Sequence, residues 1–209
     1  MKPLIAPTNF TASSVNAAKY AANMAMMVNS DLYLIHVLQL PVSSAEIPLT
    51  EEMYGEMHKS GEQELENLKL LLQKQTEGRI NIFTLLESGN VEQKVAELCQ
   101  RKAPFAVVMG IKKSAAERFV FGSNALISIS HLHYPLFVIP EDSSFHALRK
   151  MVLAYDLEGP NKNIPVSYLK ELQRIFNADL DVLNINAKKR EDLQSNQEYL
   201  FIKDMLQDL

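Results

Sequence analysis

Short apolar runs alternate along the chain with longer stretches in which apolar residues recur every three or four positions. Five runs are almost continuously apolar, at residues 4–6, 32–37, 80–86, 106–109 and 136–139. Such runs are typical of strands that are buried on both faces of a parallel sheet. The stretches between them have the period of amphipathic helices. The pattern therefore predicts an α/β fold in which right-handed crossovers place helices on both faces of one parallel sheet.

Polar residues mark where the predicted helices begin and end. Thr11 and Ser13 offer N-cap hydroxyls to a first helix, and Asn29 is a stop signal at its end. A third helix follows Asn90, and a shorter fourth helix starts near Ser123. These signals fall between the apolar runs, as the alternation of strand and helix requires.

The second predicted helix is the longest. Thr50 caps its start, and Gly78 marks its end. Its apolar face is predicted to carry Met53, Met57, Leu65, Leu68 and Leu72.

The end of the chain repeats its beginning. Residues 150–156, KMVLAYD, match the first strand, with Asp156 aligned on Asn9 at an offset of 147. Residues 177–185, NADLDVLNI, match residues 29–37, with Leu180 aligned on Leu32 at an offset of 148. Because the offsets agree within one residue, an internal repeat is favoured over chance. We predict a complete domain in residues 1–140, a linker in 141–148, and a partial second copy of the order β-α-β-α in 149–209.

Composition narrows the class of function. The 209 residues include 21 Lys and Arg against 25 Asp and Glu, which gives a formal net charge of −4. Because there is no concentrated basic face, we expect no nucleic-acid partner. No window approaches the roughly 18 apolar residues of a membrane span, and the N-terminus lacks the apolar stretch of a signal peptide. We therefore expect a cytoplasmic protein with no membrane partner.

The strongest local signal for chemistry follows the fourth strand. Gly110 ends that strand, and Gly122, Ser123 and Asn124 open the next predicted helix. Backbone N–H groups at such a helix start form an anion site that suits phosphate. The alternative is an ordinary strand-to-helix turn in which Ser123 is only an N-cap.

Other reactive side chains predict neither catalysis nor metal binding. His131 and His133 lack a third metal ligand, and His36 is expected to be a satisfied residue at the edge of the core. Cys99 is the only cysteine and is predicted to be a buried, inert thiol. The sequence also lacks the P-loop, dinucleotide-binding, zinc-protease and nucleophile-elbow motifs. We predict no catalytic residues and no metal ligands, and these features give no support to enzymatic turnover.

Four short segments in order resemble the universal stress protein family. They are residues 5–11 (IAPTNFT), 35–37 (IHV), 87–91 (ESGNV) and 108–110 (VMG). The resemblance covers residues 1 to about 140, and residues 148–209 resemble the start of a second domain, as in tandem members. It implies a role in the stress response. It also implies a flavodoxin-like sheet, as in adenine-nucleotide alpha-hydrolases, of order 3-2-1-4-5 with helices on both faces.

The resemblance also implies a crevice for ATP or AMP beyond the strand ends. Strands one and four are neighbours where the strand order reverses, which is where such sheets bind ligands. The implied binding residues are Pro7, Thr8, Asn9, Val37, Met109, Gly110, Lys113, Gly122, Ser123 and Asn124.

Three departures from the family pattern weaken the implied site. Nucleotide-binding members have Gly, two residues, Gly, nine residues, Gly and Ser/Thr after strand four. Here Lys113 replaces the second Gly, and only eight residues lie between Lys113 and Gly122. The family's Asp after strand one is Asn9 in this chain, which brings no charge. We therefore expect ATP or AMP to bind weakly or not at all.

Three functions remain open after these departures. A regulatory or binding role in the stress response, with a degraded nucleotide crevice, is the first hypothesis. The alternatives are slow ATP hydrolysis at the same crevice and a structural dimer that binds no nucleotide.

The fifth strand predicts self-association. The run from Leu136 to Ile139 is apolar, and it would form an open edge of the sheet. In the family, dimers form through this strand. The resemblance therefore implies a homodimer or a larger homo-oligomer with this strand as the candidate interface. The alternative is that the second copy covers this edge within the chain.

Overall fold

In a computed structural model the chain divides into two compact units, Met1–Phe145 and His146–Leu209. The structure describes residues 2–39, 50–112, 134–146, 148–155 and 165–184. The predicted helix near Ser123 and the last helix of the predicted partial copy lie outside these ranges. Among the described helices, none has the length and apolar character that a membrane crossing requires.

The first unit contains a five-stranded parallel sheet. Its strands and helices are β1 (Leu4–Pro7), α1 (Ala12–Val28), β2 (Leu32–Leu38), α2 (Glu51–Gln75), β3 (Ile82–Ser88), α3 (Val91–Lys102), β4 (Ala106–Ile111) and β5 (Leu136–Pro140). The strand order is β3-β2-β1-β4-β5, and all four pairings are parallel. The predicted fold class and strand order are therefore confirmed.

Alternation along the strands gives the sheet two covered faces. On one face, Ile5, Ile35 and Val107 form a buried cluster with Val95 and Leu98 of α3. On the opposite face lie α1 and α2, and buried alanines of α1 let that helix approach the sheet closely. These alanines are Ala17, Ala18, Ala21, Ala22 and Ala25.

The start of α1 differs from the sequence prediction. Thr11 is the N-cap residue, but its side chain makes no capping hydrogen bond. Its Oγ1 instead donates to Asn9 Oδ1 at 2.7 Å, so the predicted hydroxyl cap is wrong. At the other end, Asn29 has a left-handed backbone (φ 50°) and ends the helix as predicted.

The ends and the buried face of α2 are only partly as predicted. Thr50 Oγ1 accepts from the Met53 N–H at 3.2 Å, which confirms the cap. The helix ends at Gln75, three residues before Gly78. Met53 is 46% exposed, so its place on the apolar face is wrong. The buried face begins only at Gly61, which is already level with the C-terminal part of β2, and the preceding turns project past the sheet.

The segment after β5 is fastened to α1. Asn16 Nδ2 donates to the carbonyl oxygens of Pro140 (3.0 Å) and Ser143 (2.8 Å). The ring of Phe145 meets the ring of Tyr20 edge to face, with centroids 4.9 Å apart. Residues 140–145, including the start of the predicted linker, therefore pack as part of the first unit.

The second unit repeats the first strand pairing. It contains β6 (Lys150–Tyr155), α4 (Val166–Phe176) and β7 (Asp179–Asn184), and its two strands are parallel. Met151 pairs with Leu180, just as Leu4 pairs with Leu32 in the first unit. These positions differ by the offsets 147 and 148 that the sequence comparison gave, so the register supports an internal repeat.

The helix ends repeat as well. Asn177 ends α4 with a left-handed backbone (φ 47°), as Asn29 ends α1.

One face of β6 and β7 is exposed, with Val152 at 56% and Leu183 at 53%. That residues 149–209 form a partial copy of a family domain stays a prediction.

Candidate functional site

The candidate site lies at the carboxyl ends of the parallel strands, where β1 and β4 are neighbours. Six of the ten predicted residues are described and lie at this edge, in or just after β1, β2 and β4: Pro7, Thr8, Asn9, Val37, Met109 and Gly110. The other four, Lys113, Gly122, Ser123 and Asn124, fall outside the described residues. Sheets of this kind bind ligands where the strand order reverses, which in this sheet is between the ends of β1 and β4, and we refer to this place as the crevice.

Thr8 begins the loop between β1 and α1, and it is buried. Its Oγ1 lies 3.2 Å from Ser14 Oγ and accepts from the Phe10 N–H at 3.1 Å. Ser14 Oγ also accepts from the Asn9 N–H at 3.4 Å. The buried Thr8 hydroxyl therefore links the loop backbone at Phe10 to the first turn of α1 at Ser14.

Asn9 is the exposed residue of this loop. Its Oδ1 accepts from Thr11 Oγ1 at 2.7 Å and from the Thr11 N–H at 3.4 Å. Because the carbonyl oxygen is used locally, the hydrogen-bonding group that the side chain has left for a ligand is its amide, a donor.

Gly110 packs against the first turn of α1. A Cβ atom built at this position would overlap the backbone carbonyl of Ser13 and lie 3.0 Å from the Ser14 nitrogen. The absence of a side chain at Gly110 therefore has an explanation that involves no ligand.

Val37 and Met109 belong to the apolar layer beneath α3. Val37 is buried at 7% exposure, and Met109 packs against the same cluster. Both lie near the carboxyl ends of their strands, on the face of the sheet that α3 covers.

The charged side chains near the end of β3 form ion pairs with one another. Glu87 lies 3.6 Å from Lys94 Nζ and 3.9 Å from an Arg101 nitrogen, and Lys94 Nζ lies 3.2 Å from Glu97. The hydrogen bond to Glu97 is the main reason that the pKa of Lys94 is raised. Two acids and two bases thus pair at this end of the sheet.

Two observations concern thiol and metal chemistry in the described part of the chain. Burial raises the pKa of the Cys99 thiol to about 11, so the thiol is neutral, which agrees with the predicted inert residue. Within the described ranges, no three His, Cys, Asp or Glu side chains gather as metal ligands would.

Sequence reasoning missed two residues that shape the loop. The Ser14 hydroxyl, in the first turn of α1, is hydrogen-bonded to the Thr8 hydroxyl and to the Asn9 N–H. His36 reaches the loop from β2, with Nδ1 2.8 Å from the backbone carbonyl oxygen of Thr8. The sequence signal for His36 was its place at a strand end beside the loop, but its partner could not be identified from spacing.

The sheet order and the crevice define an α/β protein of the flavodoxin-like class. Residues 1–140 match the model of the universal stress protein family, and the chain belongs to this family. It is thereby a stress-response protein by family, as the sequence predicted.

Known relatives agree with this assignment. A universal stress protein of Methanocaldococcus jannaschii is 29% identical over 141 residues, which are 66% of this chain and 81% of that protein. A universal stress protein structure from Archaeoglobus fulgidus DSM 4304 matches with a TM-score of 0.69 at 14% identity, over 96% of this chain and 74% of that one. One from Lactobacillus plantarum gives 0.54 at 14% identity, over 66% and 97%. These structures show that the fold is shared.

Proposed function

We propose that this stress-response protein is a non-enzymatic regulator that binds ATP or AMP weakly at the crevice between β1 and β4. The observation that carries the proposal is the state of Asn9. It stands exposed at the crevice, and its carbonyl oxygen is engaged by Thr11. The side chain therefore offers a nucleotide a neutral donor where the family pattern has a carboxylate.

The size of the weakening follows from hydrogen-bond energies. A neutral hydrogen bond contributes about 1 kcal/mol, and one to a charged group contributes about 2 kcal/mol. The difference of about 1 kcal/mol corresponds to roughly fivefold in affinity. Lys113 in place of a glycine, and a loop one residue short, weaken the phosphate cradle further.

The hydroxyl groups of the loop support binding over catalysis. Thr8, Thr11 and Ser14 are hydrogen-bonded to one another and to Asn9. These bonds engage the hydroxyl groups locally, and residues 8–11 include no carboxylate that could orient an attacking water. Slow ATP hydrolysis remains the alternative, and phosphate release in the presence of ATP tests it.

Calorimetry with ATP and with AMP tests the proposal on the full chain. We expect dissociation constants weaker than micromolar, and we expect Asn9→Asp to strengthen binding about fivefold, because Asp keeps both acceptor bonds to Thr11 and adds a charge. Submicromolar binding by the unmodified protein would refute the weakened site. An absence of binding by both proteins would favour the structural dimer.

We also propose that the protein forms a homo-oligomer through β5. This strand is the outermost one beside β4, and Leu136, Phe137 and Val138 are half-buried in the single chain. Edge strands of this kind are usually paired or covered. Light scattering should give a multiple of the chain mass, and hydrogen exchange should be slow in residues 136–139. A monomer with fast exchange there would refute the interface.

A further inference from the structure

We infer that His36 is a positioning residue for the nucleotide crevice, because it holds the loop of residues 8–11 from the neighbouring strand β2. The inference rests on the proposed function only in so far as Asn9 of this loop contacts the nucleotide. The contacts that hold the loop are independent of that proposal.

The imidazole of His36 forms a hydrogen bond with the backbone just after the strand pairing of β1 ends. The strand ends at Pro7, and the next N–H, that of Thr8, donates to the Ile35 oxygen at 2.9 Å. The Thr8 oxygen then lies 2.8 Å from His36 Nδ1. Because a carbonyl oxygen only accepts, Nδ1 must carry a proton and donate it. Both polar groups of the Thr8 backbone are thus bound to β2.

The same ring supports the other end of the turn. Phe10 has a left-handed backbone (φ 61°), which is uncommon for a residue with a bulky side chain. Its ring packs on the His36 ring with centroids 4.5 Å apart, and its N–H donates to Thr8 Oγ1. His36 therefore contacts the residue before Asn9 and the residue after it.

Helix α2 keeps the ring in place from behind. Gly61 is buried in this helix, although glycine is unfavourable in a helix interior. A Cβ atom at Gly61 would lie 3.4 Å from His36 Cδ2 and 3.0 Å from Leu86 Cδ1. The glycine leaves room for the imidazole between α2 and the loop, so the ring is held on both sides.

Two substitutions separate the donor from the ring. His36→Phe keeps a planar ring against Phe10 and removes the hydrogen bond, whereas His36→Asn places an amide donor close to the position of Nδ1. His58→Phe is the matched control, because His58 is a partly exposed histidine of α2 that lies near Glu62. His36→Leu is a second donor-free variant if His36→Phe does not fold.

The readouts are ATP affinity by calorimetry and hydrogen exchange of the Phe10 and Thr11 amides, with the free energy of unfolding measured alongside. We expect His36→Phe to weaken ATP binding about fivefold, as the loss of one neutral hydrogen bond predicts, and to speed exchange of both amides. His36→Asn should restore affinity and protection, and His58→Phe should change neither. Equal losses in His36→Phe and His36→Asn, or no loss in His36→Phe, would overturn the inference.

Failure of the proposed function would be recognised separately. If the unmodified protein binds neither ATP nor AMP, the proposed function is wrong and amide exchange alone decides the role of His36. Faster exchange in His36→Phe that His36→Asn reverses would still support positioning of the loop. Unchanged exchange in His36→Phe would overturn it.

Discussion

The contact between Gly110 and α1 makes the variant Gly110→Ala a direct test of how the crevice is built. The added methyl group would overlap the carbonyl of Ser13 and come within 3.0 Å of the Ser14 nitrogen. Both are backbone atoms in the first turn of a helix, so neither can rotate aside as a side chain does. The methyl group must therefore displace α1 from β4.

The expected cost is at the upper end for an overpacked position. Extra methyl groups in a packed core destabilise by about 1–3 kcal/mol, and we expect about 3 kcal/mol here because the obstacle is backbone. With a urea dependence of about 2 kcal/mol per molar, the unfolding midpoint should fall by about 1.5 M.

Gly55→Ala supplies the control. Gly55 also lies in regular structure, within α2, but a Cβ atom there would meet nothing within 4 Å. Replacing this glycine should stabilise the protein by up to about 1 kcal/mol through helix propensity alone. The two glycine-to-alanine changes should thus have opposite signs in urea unfolding followed by circular dichroism. A Gly110→Ala protein as stable as the parent would refute the close approach of α1 to β4.

Three further predictions concern α3, its buried thiol and the segment after β5. Asn90→Ala should destabilise the protein by about 1 kcal/mol in urea unfolding, because Asn90 Oδ1 accepts from the Gln93 N–H; unchanged stability would contradict the cap. Burial raises the pKa of Cys99 from 9.0 to about 11, so the thiol ionises first in the unfolded chain. The free energy of unfolding should therefore fall as the pH rises through this interval, and Cys99→Ala should remove that part of the slope. Asn16→Ala should speed hydrogen exchange in residues 141–145, since it removes two bonds to that segment; equal exchange rates would show that the bonds are dispensable.

The sequence predicted the strands well because burial on both faces leaves nearly continuous apolar runs. The start of β3 is an instructive exception. Ile80 is buried but precedes the strand, which begins at Ile82, so the apolar run began too early. Met53 shows a second limit: helical spacing placed it on the apolar face, but exposure depends on where the sheet beneath the helix ends. The strand order came from the family resemblance, because periodicity does not encode which strands are neighbours.

The sequence indicated which candidate residues follow β1, β2 and β4, but not the contacts among them. Asn9 lies exposed in the loop after β1, and the bonds that fix this loop come from Ser14 of α1 and His36 of β2. Only the folded chain brings them together. The resemblance implies Gly110 as a binding residue, and the structure adds a packing reason for this glycine, because a Cβ atom there would overlap the backbone of α1.

The exposed face of the second unit affects how every binding measurement on this protein is done. Val152 and Leu183 occupy the repeat positions of Ile5 and Ile35, which are buried under α3 in the first unit. Apolar side chains left in water favour self-association at high protein concentration. Titrations should therefore be repeated at several protein concentrations. An apparent affinity that changes with protein concentration would indicate self-association through this face and not binding of nucleotide at the crevice.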